Sequence, residues 1–69
     1  MPLTFCTIGE IFTVKRLGGD NVVKQHLNEL GFSVGTPVTV VASLGGNVIV
    51  KVKESRIALD RKLACRIMV

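Results

Sequence analysis

A helix closed by glycine, followed by a tight turn and a strand, is the feature that most constrains the fold of this chain. Leu27 and Leu30 lie three residues apart and therefore share one face of a helix. Gly31 can adopt the left-handed conformation that ends a helix, which would strain a residue with a side chain. Phe32 then occupies the position from which an apolar side chain packs back onto the last helical turn. A helix end and a chain reversal are thus predicted within a few residues.

The residues after this helix end predict a turn and then a strand. Gly35 can supply the positive φ that a type II turn over Ser33–Thr36 requires. Pro37 has no amide hydrogen, which suits the first position of a strand. We therefore predict a strand over Pro37–Ser43, with one face formed by Val38, Val40 and Ala42.

The chain before the helix predicts one strand and a capped helix start. Glu10–Leu17 alternates as a strand does, and two glycines follow it. A side-chain oxygen of Asp20 or Asn21 can then accept a hydrogen bond from the first helical turn. The inward stripe of the predicted helix consists of Val23, Leu27 and Leu30.

The second half of the chain predicts a series of short strands joined by tight turns. Gly45 and Gly46 suit a two-residue hairpin turn, because both tolerate positive φ. In the strand that follows, valines alternate with lysines. The predicted elements are, in order, a strand over Asn47–Lys53, a turn at Glu54-Ser55, a strand over Arg56–Leu59, a helical turn over Arg61–Cys65 capped by Asp60, and a strand over Arg66–Val69.

These elements predict a single mainly β domain over residues 1–69. Hydrophobic residues make up 48% of the chain, and many of them are β-branched, which favours strands. A short open sheet would leave two exposed edges, so we expect about five short strands to curl into a small barrel. The barrel carries one inserted α-helix and a short helical turn before the last strand.

The charge pattern points to an acidic partner or to a solvated surface. Nine Lys and Arg against five Asp and Glu give a net charge of +4. Such a basic segment could face nucleic acid, an anionic membrane surface or an acidic protein patch, or it could simply protect strand edges. Single-strand nucleic-acid binders interleave bases with aromatic side chains, and this chain has only three Phe. Six of the bases lie in the C-terminal third: Lys51, Lys53, Arg56, Arg61, Lys62 and Arg66.

Catalytic chemistry is not expected of this chain. Five carboxylates, one His and two Cys are too few and too scattered to form a catalytic constellation. Neither glycine pair has the spacing or the lysine of a nucleotide-binding loop. A barrel of this size leaves no interior for a substrate, so we predict a protein without enzymatic activity or cofactor.

Only weak candidates for metal ligands are present. Cys6, His26 and Cys65 match no zinc spacing, and His26 has no second His or Cys near it in sequence. The two cysteines could together bind a soft metal, oxidise to a disulfide, or remain thiols that fill space in the core; we favour buried thiols. With no signal peptide and no apolar run long enough to cross a membrane, we expect a reduced, cytoplasmic protein.

Four motifs follow one another in a fixed order along the chain: Leu27-x-x-Leu30-Gly31-Phe32-x-x-Gly35-x-x-Val38, Gly46-Asn47, Ser55-Arg56-Ile57-Ala58-Leu59 and Ala64-x-x-Ile67-x-Val69. Taken together, these motifs resemble the FeoA family. The similarity extends from about Gly9 to the C-terminus. Two positions depart from the family pattern: Val34 replaces a Pro that is frequent before the glycine, and His26 stands where Arg or Lys is common.

The resemblance implies an SH3-like small barrel and a role in bacterial ferrous iron uptake. Proteins of this family are accessory to a ferrous iron transporter, a membrane protein with a cytoplasmic G-protein domain. We therefore expect a protein-interaction module that acts on this transporter. Two other interpretations stay open: a transition-metal-sensing module and a nucleic-acid-binding small barrel. Self-association through exposed Ile49 or Met68 also stays open.

Two surfaces could carry the contact with the transporter. One is the exposed flank of the helix, and the other is the basic outer face of the barrel. The sequence does not decide between them. The helix flank is represented by Lys24, His26 and Asn28, and the basic face by Arg56, Arg61 and Lys62.

Overall fold

Six short strands, two helices and one 3-10 turn account for the fold in a computed structural model that describes all 69 residues. The mainly β class expected from the sequence is confirmed. No helix is long and apolar enough to cross a membrane. The strands are β1 (Ile11–Thr13), β2 (Arg16–Leu17), β3 (Pro37–Leu44), β4 (Asn47–Val52), β5 (Ser55–Leu59) and β6 (Ile67–Met68); the helices are α1 (Asn21–Glu29) and α2 (Arg61–Ala64), and the 3-10 turn is Leu3–Phe5.

The strands form two antiparallel sheets that close around one core. The larger sheet has the order β1-β3-β4-β5, and the smaller one pairs β2 with β6. The chain ends lie beside the smaller sheet, where Pro2 bridges to Met68. The terminal ammonium of Met1 donates to the Val69 carbonyl at 3.0 Å, and the Val69 amide donates to the Met1 carbonyl at 2.8 Å. Met68, which we expected to be exposed, is half-buried because it is paired on both sides.

The single strand predicted over Glu10–Leu17 is wrong, because the chain bends there from one sheet into the other. The Val14 amide donates to the Thr36 carbonyl at 3.0 Å, which ends the pairing with β3. The Lys15 amide donates instead to the carbonyl of Met68 at 2.7 Å, which begins the pairing with β6. Corners between packed sheets are made by strands that bend and switch sheets. The strand-like alternation of side chains in the sequence continues through this bend, so the sequence does not indicate where the chain bends.

The β3–β4 hairpin confirms the predicted glycine turn but contains an unpredicted bulge. Gly45 and Gly46 have φ of 59° and 89°, and they connect the facing residues Leu44 and Asn47. The register shifts between Val40 and Ala42, so Val41 is an extra residue of β3. A bulge of this kind reverses the facing of the residues beyond it. Ala42 was predicted on the same face as Val38 and Val40, which are buried, but it lies opposite Ile49 on the outward face.

The β4–β5 turn lies one residue earlier than predicted. Val52 pairs with Ser55, so the turn residues are Lys53 and Glu54 rather than Glu54 and Ser55. Lys53 has φ of 55°, the only positive value among the residues other than glycine. Two-residue hairpin turns favour positive φ, and glycine usually marks the position. Here no glycine is present, so the sequence carries no signal for the correct turn.

Helix α1 begins and ends as its sequence predicts. Asp20 is the N-cap, and its Oδ1 accepts from the Val23 amide at 2.9 Å. At the other end the Leu27 carbonyl accepts from the Phe32 amide at 2.9 Å, across Gly31 with φ of 104°. This is the Schellman arrangement, which satisfies a carbonyl that the helix leaves without a partner. It also directs the Phe32 side chain into the core, where it is fully buried.

The type II turn expected after Phe32 is present although Val34 replaces proline. The Thr36 amide donates to the Ser33 carbonyl at 3.1 Å, and Gly35 has φ of 92°. The hydroxyls of Ser33 and Thr36 lie 2.9 Å apart, which gives the buried Thr36 a hydrogen-bond partner.

Apolar side chains fill the interior of the barrel. Helix α2, capped by the Oδ1 of Asp60, which accepts from the Leu63 amide at 2.9 Å, covers one end and buries Ala64. No buried side-chain nitrogen or oxygen lacks a hydrogen-bond partner. The 14 core residues are Leu3, Val14, Leu17, Leu27, Phe32, Val38, Val40, Val48, Val50, Val52, Leu59, Ala64, Ile67 and Val69.

The helix end at Gly31 yields a stability prediction. We expect Gly31→Val to lower the free energy of unfolding by about 1–2 kcal/mol, because a side chain is strained at this φ. A Cβ at this position would have ordinary contacts, the nearest at 3.8 Å from Val52, so the effect is conformational rather than steric crowding. Thermal unfolding followed by circular dichroism measures it. Gly31→Asn is the matched control and should lose less, since Asn tolerates the left-handed region; equal losses would contradict this account.

Candidate interaction surfaces

The predicted helix-flank residues are exposed but do not form one surface. Lys24 and Asn28 lie four residues apart on α1 and share a flank. His26 is two residues from each, which is about 200° around a helix of 3.6 residues per turn. The buried Leu27 separates the two flanks on the inward side. A partner that contacts Lys24 and Asn28 would therefore not contact His26 through the same face.

The predicted basic face is also divided between two places. Arg56 is exposed on β5, whereas Arg61 and Lys62 are exposed on α2. The Arg61 amide donates to Oδ1 of Asn47 at 3.2 Å, which places α2 beside the β3–β4 turn. The aliphatic part of Arg61 packs so closely there that a Cβ on Gly46 would lie 2.8 Å from its Cδ. Glycine at position 46 thus serves both the turn conformation and the packing of Arg61.

The larger sheet presents a solvent-facing surface that we call the outer sheet face. Strand pairing aligns its residues in rows across the strands. One row runs across all four strands, and a second row is formed by three apolar residues on β3, β4 and β5. The first row consists of Ile11, Thr39, Lys51 and Arg56, and the second of Ala42, Ile49 and Ala58.

The outer sheet face combines apolar exposure with positive charge. Ile11 is 74% exposed and Ile49 is 38% exposed. Lys51 and Arg56 are directly opposite each other on neighbouring strands, and both are exposed. The sequence indicates Arg56 as part of a basic face and shows Lys51 alternating with valines, but it does not bring either residue together with Ile11. Alternation within each strand indicates which way a side chain points, while only the pairing shows which side chains are neighbours.

A surface depression of about 240 Å³ lies at one end of this face. It is the one depression of appreciable size in the molecule. Its lining combines one large apolar side chain, a threonine hydroxyl and two lysines, so it suits an apolar group with a neighbouring negative charge better than a cation. The lining residues are Ile11, Pro37, Thr39, Lys51 and Lys53.

The two cysteines occupy different environments, and both are unpaired thiols. Cys6 is half-buried, and its Sγ lies 3.9 Å from the Pro2 carbonyl as a weak donor. Burial raises the pKa of the Cys6 thiol, an effect reduced by the N-terminal ammonium and reinforced by Glu10. The expectation that both thiols are buried is wrong for Cys65, which is exposed, and Cys6 is only half-buried. The buried positions near Cys65 are Ala64 and Ile67.

The weak metal candidates do not gather into one site. No group of three or more His, Cys, Asp or Glu residues lies close enough to hold a metal ion. His26 is exposed on α1, and Cys65 follows α2. The 3-10 turn that precedes Cys6 contacts α2, so the two thiols follow neighbouring elements. Two thiols are fewer than the four ligands of a structural zinc site.

The different burial of the two thiols predicts different reactivity. At about pH 8, iodoacetamide should alkylate Cys65 faster than Cys6, because the thiolate is the nucleophile and a raised pKa lowers its fraction. The difference should narrow as the pH rises through the pKa of Cys6, since that thiol then ionises. Mass spectrometry of timed digests measures both rates. Cys65→Ser is the control that leaves only the slow reaction, and equal rates in the wild type would contradict the assignment.

Comparison with known proteins identifies the family of this chain. The sequence profile of the FeoA domain matches residues 1–69. A Methanocaldococcus jannaschii protein that bears the name Fe(2+) transport protein A is 37% identical over 68 residues, which are 99% of this chain and 83% of that protein.

Solved structures of FeoA proteins have the same fold. The crystal structure of an iron uptake regulatory protein, FeoA, superposes with a TM-score of 0.86 at 29% identity, covering 96% of this chain and 88% of that one. FeoA of Stenotrophomonas maltophilia, crystallised with zinc and described as a prokaryotic SH3 domain protein, superposes with a TM-score of 0.84 at 28% identity, covering 99% and 87%. The expected SH3-like barrel is thereby confirmed, and the chain belongs to the FeoA domain family.

Proposed function

We propose that this chain is a non-enzymatic accessory protein of ferrous iron uptake, which acts in the cytoplasm by binding the ferrous iron transporter. The observation that carries the proposal is the family match over all 69 residues, together with a relative named for Fe(2+) transport. Relatives of this length and fold are described as FeoA proteins. A role in ferrous iron transport follows from these names, and the physical contact with the transporter is the further step.

The architecture supports a binding role rather than a catalytic one. Fourteen apolar residues fill the interior, so no internal cavity is left for a substrate. The carboxylates of Asp20 and Asp60 are engaged as helix caps, which removes two of the five from any catalytic role. Function in such a molecule resides on its surface, and a small rigid barrel is well suited to present that surface to a partner.

A metal-sensing role is a second candidate, supported by the zinc complex of the S. maltophilia protein and by the neighbouring elements that precede Cys6 and Cys65. The donor set of this chain does not form a closed site, as described above. A metal that binds the folded state raises its apparent stability. If Fe(II) or Zn(II) acts through the thiols, the Tm should rise on addition of the metal and Cys65→Ser should abolish the rise.

We expect no such rise, because two thiols without a third protein ligand make a weak site. Differential scanning fluorimetry with excess Zn(II), and with Fe(II) under anaerobic conditions, measures the shift. A large increase in Tm that disappears in the Cys65→Ser variant would favour metal sensing over a purely protein-binding role.

Nucleic-acid binding gains little support from the structure. Of the three Phe, Phe32 is buried and Phe12 packs against the core, which leaves only Phe5 as an exposed stacking platform. The basic residues are also scattered over several places, among them the outer sheet face, α1, α2 and β2. A mobility shift with single-stranded DNA at low salt, lost steeply as salt is raised, would be required to revive this interpretation.

The transporter contact is testable by titration. Purified protein should bind saturably to the cytoplasmic G-protein domain of the ferrous iron transporter from the same organism, measured by isothermal titration calorimetry with and without guanine nucleotide. Reversal of one surface charge in each candidate region, at Lys24, Arg56 and Arg61, should identify the contact by loss of affinity in one variant. Absence of binding both to this domain and to the full-length transporter in nanodiscs would refute the proposal.

A further inference from the structure

We propose that the outer sheet face binds an acidic protein segment, whose carboxylates pair with Lys51 and Arg56 while an apolar side chain of the same segment contacts Ile11. This inference rests on the proposed function, since it names the surface and the chemistry of the partner. It concerns the sheet face and not the helix flank or α2.

Two like charges lie directly opposite each other on the outer sheet face. Lys51 and Arg56 face each other across β4 and β5, and cross-strand partners have their Cβ atoms only about 5 Å apart. Like charges at such a position destabilise a sheet, whereas opposite charges stabilise it. None of the side-chain hydrogen bonds in the molecule involves either residue. The fold gains nothing from this pair, and a bound anionic group would relieve its repulsion.

No acidic residue lies on the outer sheet face. The residues of both rows are apolar, hydroxyl-bearing or basic. Lys53 adds a third cation beside the depression. Glu54, in the β4–β5 turn, and Glu10, just before β1, are the acidic residues nearest to the face in sequence. The remaining carboxylates belong to the ends of the helices: Asp20, Glu29 and Asp60.

Exposed apolar side chains lie beside these cations. Ile11 is largely exposed at the edge strand and lines the depression with Thr39 and Lys51. In the next row Ile49 lies between two alanines, which leave a low surface on either side of it. Exposed apolar surface rimmed by charge is typical of a protein-binding site. A segment with an apolar residue next to Asp or Glu complements both features.

Other occupants of this face are less compatible with its chemistry. Nucleic acid would need stacking platforms, and none of the side chains on the face is aromatic. Anionic membranes are recognised by clusters of about 4–8 Lys and Arg, and this face has three cations. A second copy of the chain would bring Lys51 and Arg56 against the same two cations, which repel them. An acidic segment of another protein meets none of these difficulties.

Because Lys51 is paired with Arg56, reversing the charge of either residue should raise the stability of the fold and lower the affinity for the partner. Lys51→Glu creates an opposite-charge cross-strand pair, so the Tm should rise by a few degrees. Affinity for the transporter should fall by about tenfold, because an attractive contact becomes repulsive. Arg56→Glu should behave in the same way. The double variant restores a like-charge pair and should lose the gain in Tm while binding no better.

Arg16→Glu is the matched control, because it makes the same change in net charge at an exposed position of β2, in the smaller sheet, and should leave affinity within about twofold. Ile11→Ser should also weaken binding without loss of Tm, since Ile11 is exposed. If the wild type binds the transporter and Lys51→Glu binds it equally well, the inference is overturned and the proposed function stands. Equal losses from Arg16→Glu and Lys51→Glu would also overturn it, since they would indicate a nonspecific charge effect.

A second experiment does not depend on the transporter. A library of random short peptides displayed on phage is selected against the wild-type protein, with Lys51→Glu as the counter-target. Enriched peptides should combine Asp or Glu with Leu, Ile, Val or Phe, and should lose binding to Lys51→Glu. The inference would be refuted if no peptide is enriched, or if the enriched peptides lack acidic residues. It would also be refuted if this face binds oligo-dT or phosphatidylglycerol vesicles more tightly than it binds the acidic peptides. If the transporter titration shows no binding but the selection yields acidic peptides that require Lys51, the transporter is rejected as the partner and the outer sheet face is kept as the binding surface.

Discussion

The hydrogen bond from the Phe32 amide to the Leu27 carbonyl is the contact on which much of this fold depends. This hydrogen bond closes the C-terminal end of α1, and it can form because Gly31 tolerates a φ of 104°. The reversal places Phe32, the largest fully buried side chain, in the centre of the barrel. A chain of this size has a core of only 14 residues and a small margin of stability, so the loss of one large side chain would remove most of that margin.

Core and surface obey different constraints on the same strands. On β4 the inward valines are fully buried, and the outward residues alternate with them one by one. The inward positions are determined by packing, which tolerates little change in volume. The outward position of Lys51 opposes Arg56, an arrangement that packing does not require and that electrostatics disfavours. Local features that oppose stability are frequent where a protein binds a partner, and this one motivates the assignment of the outer sheet face.

The residues predicted to contact a partner lie on separate surfaces of the molecule. Arg56 belongs to the outer sheet face, whereas Arg61 packs against Gly46 beside α2, and Lys24 and His26 lie on separate flanks of α1. A partner that binds at one of these places does not have to contact the residues at the others. The charge of the C-terminal third, which looks like one basic segment in the sequence, is in fact distributed over the outer sheet face, α2 and a third place, where Arg66 lies beside Gly18 and Gly19.

The sequence by itself determined the features that depend on adjacent residues. The Asp20 cap, the helix end at Gly31 and the turn at Gly45-Gly46 are found where they were predicted, because caps and positive φ are properties of a few neighbouring residues. Only the tertiary structure decided the bend at Val14, the bulge at Val41 and the meeting of Lys51 with Arg56 and Ile11. These depend on which strands pair and in which register, and register is settled by contacts between residues far apart in the chain.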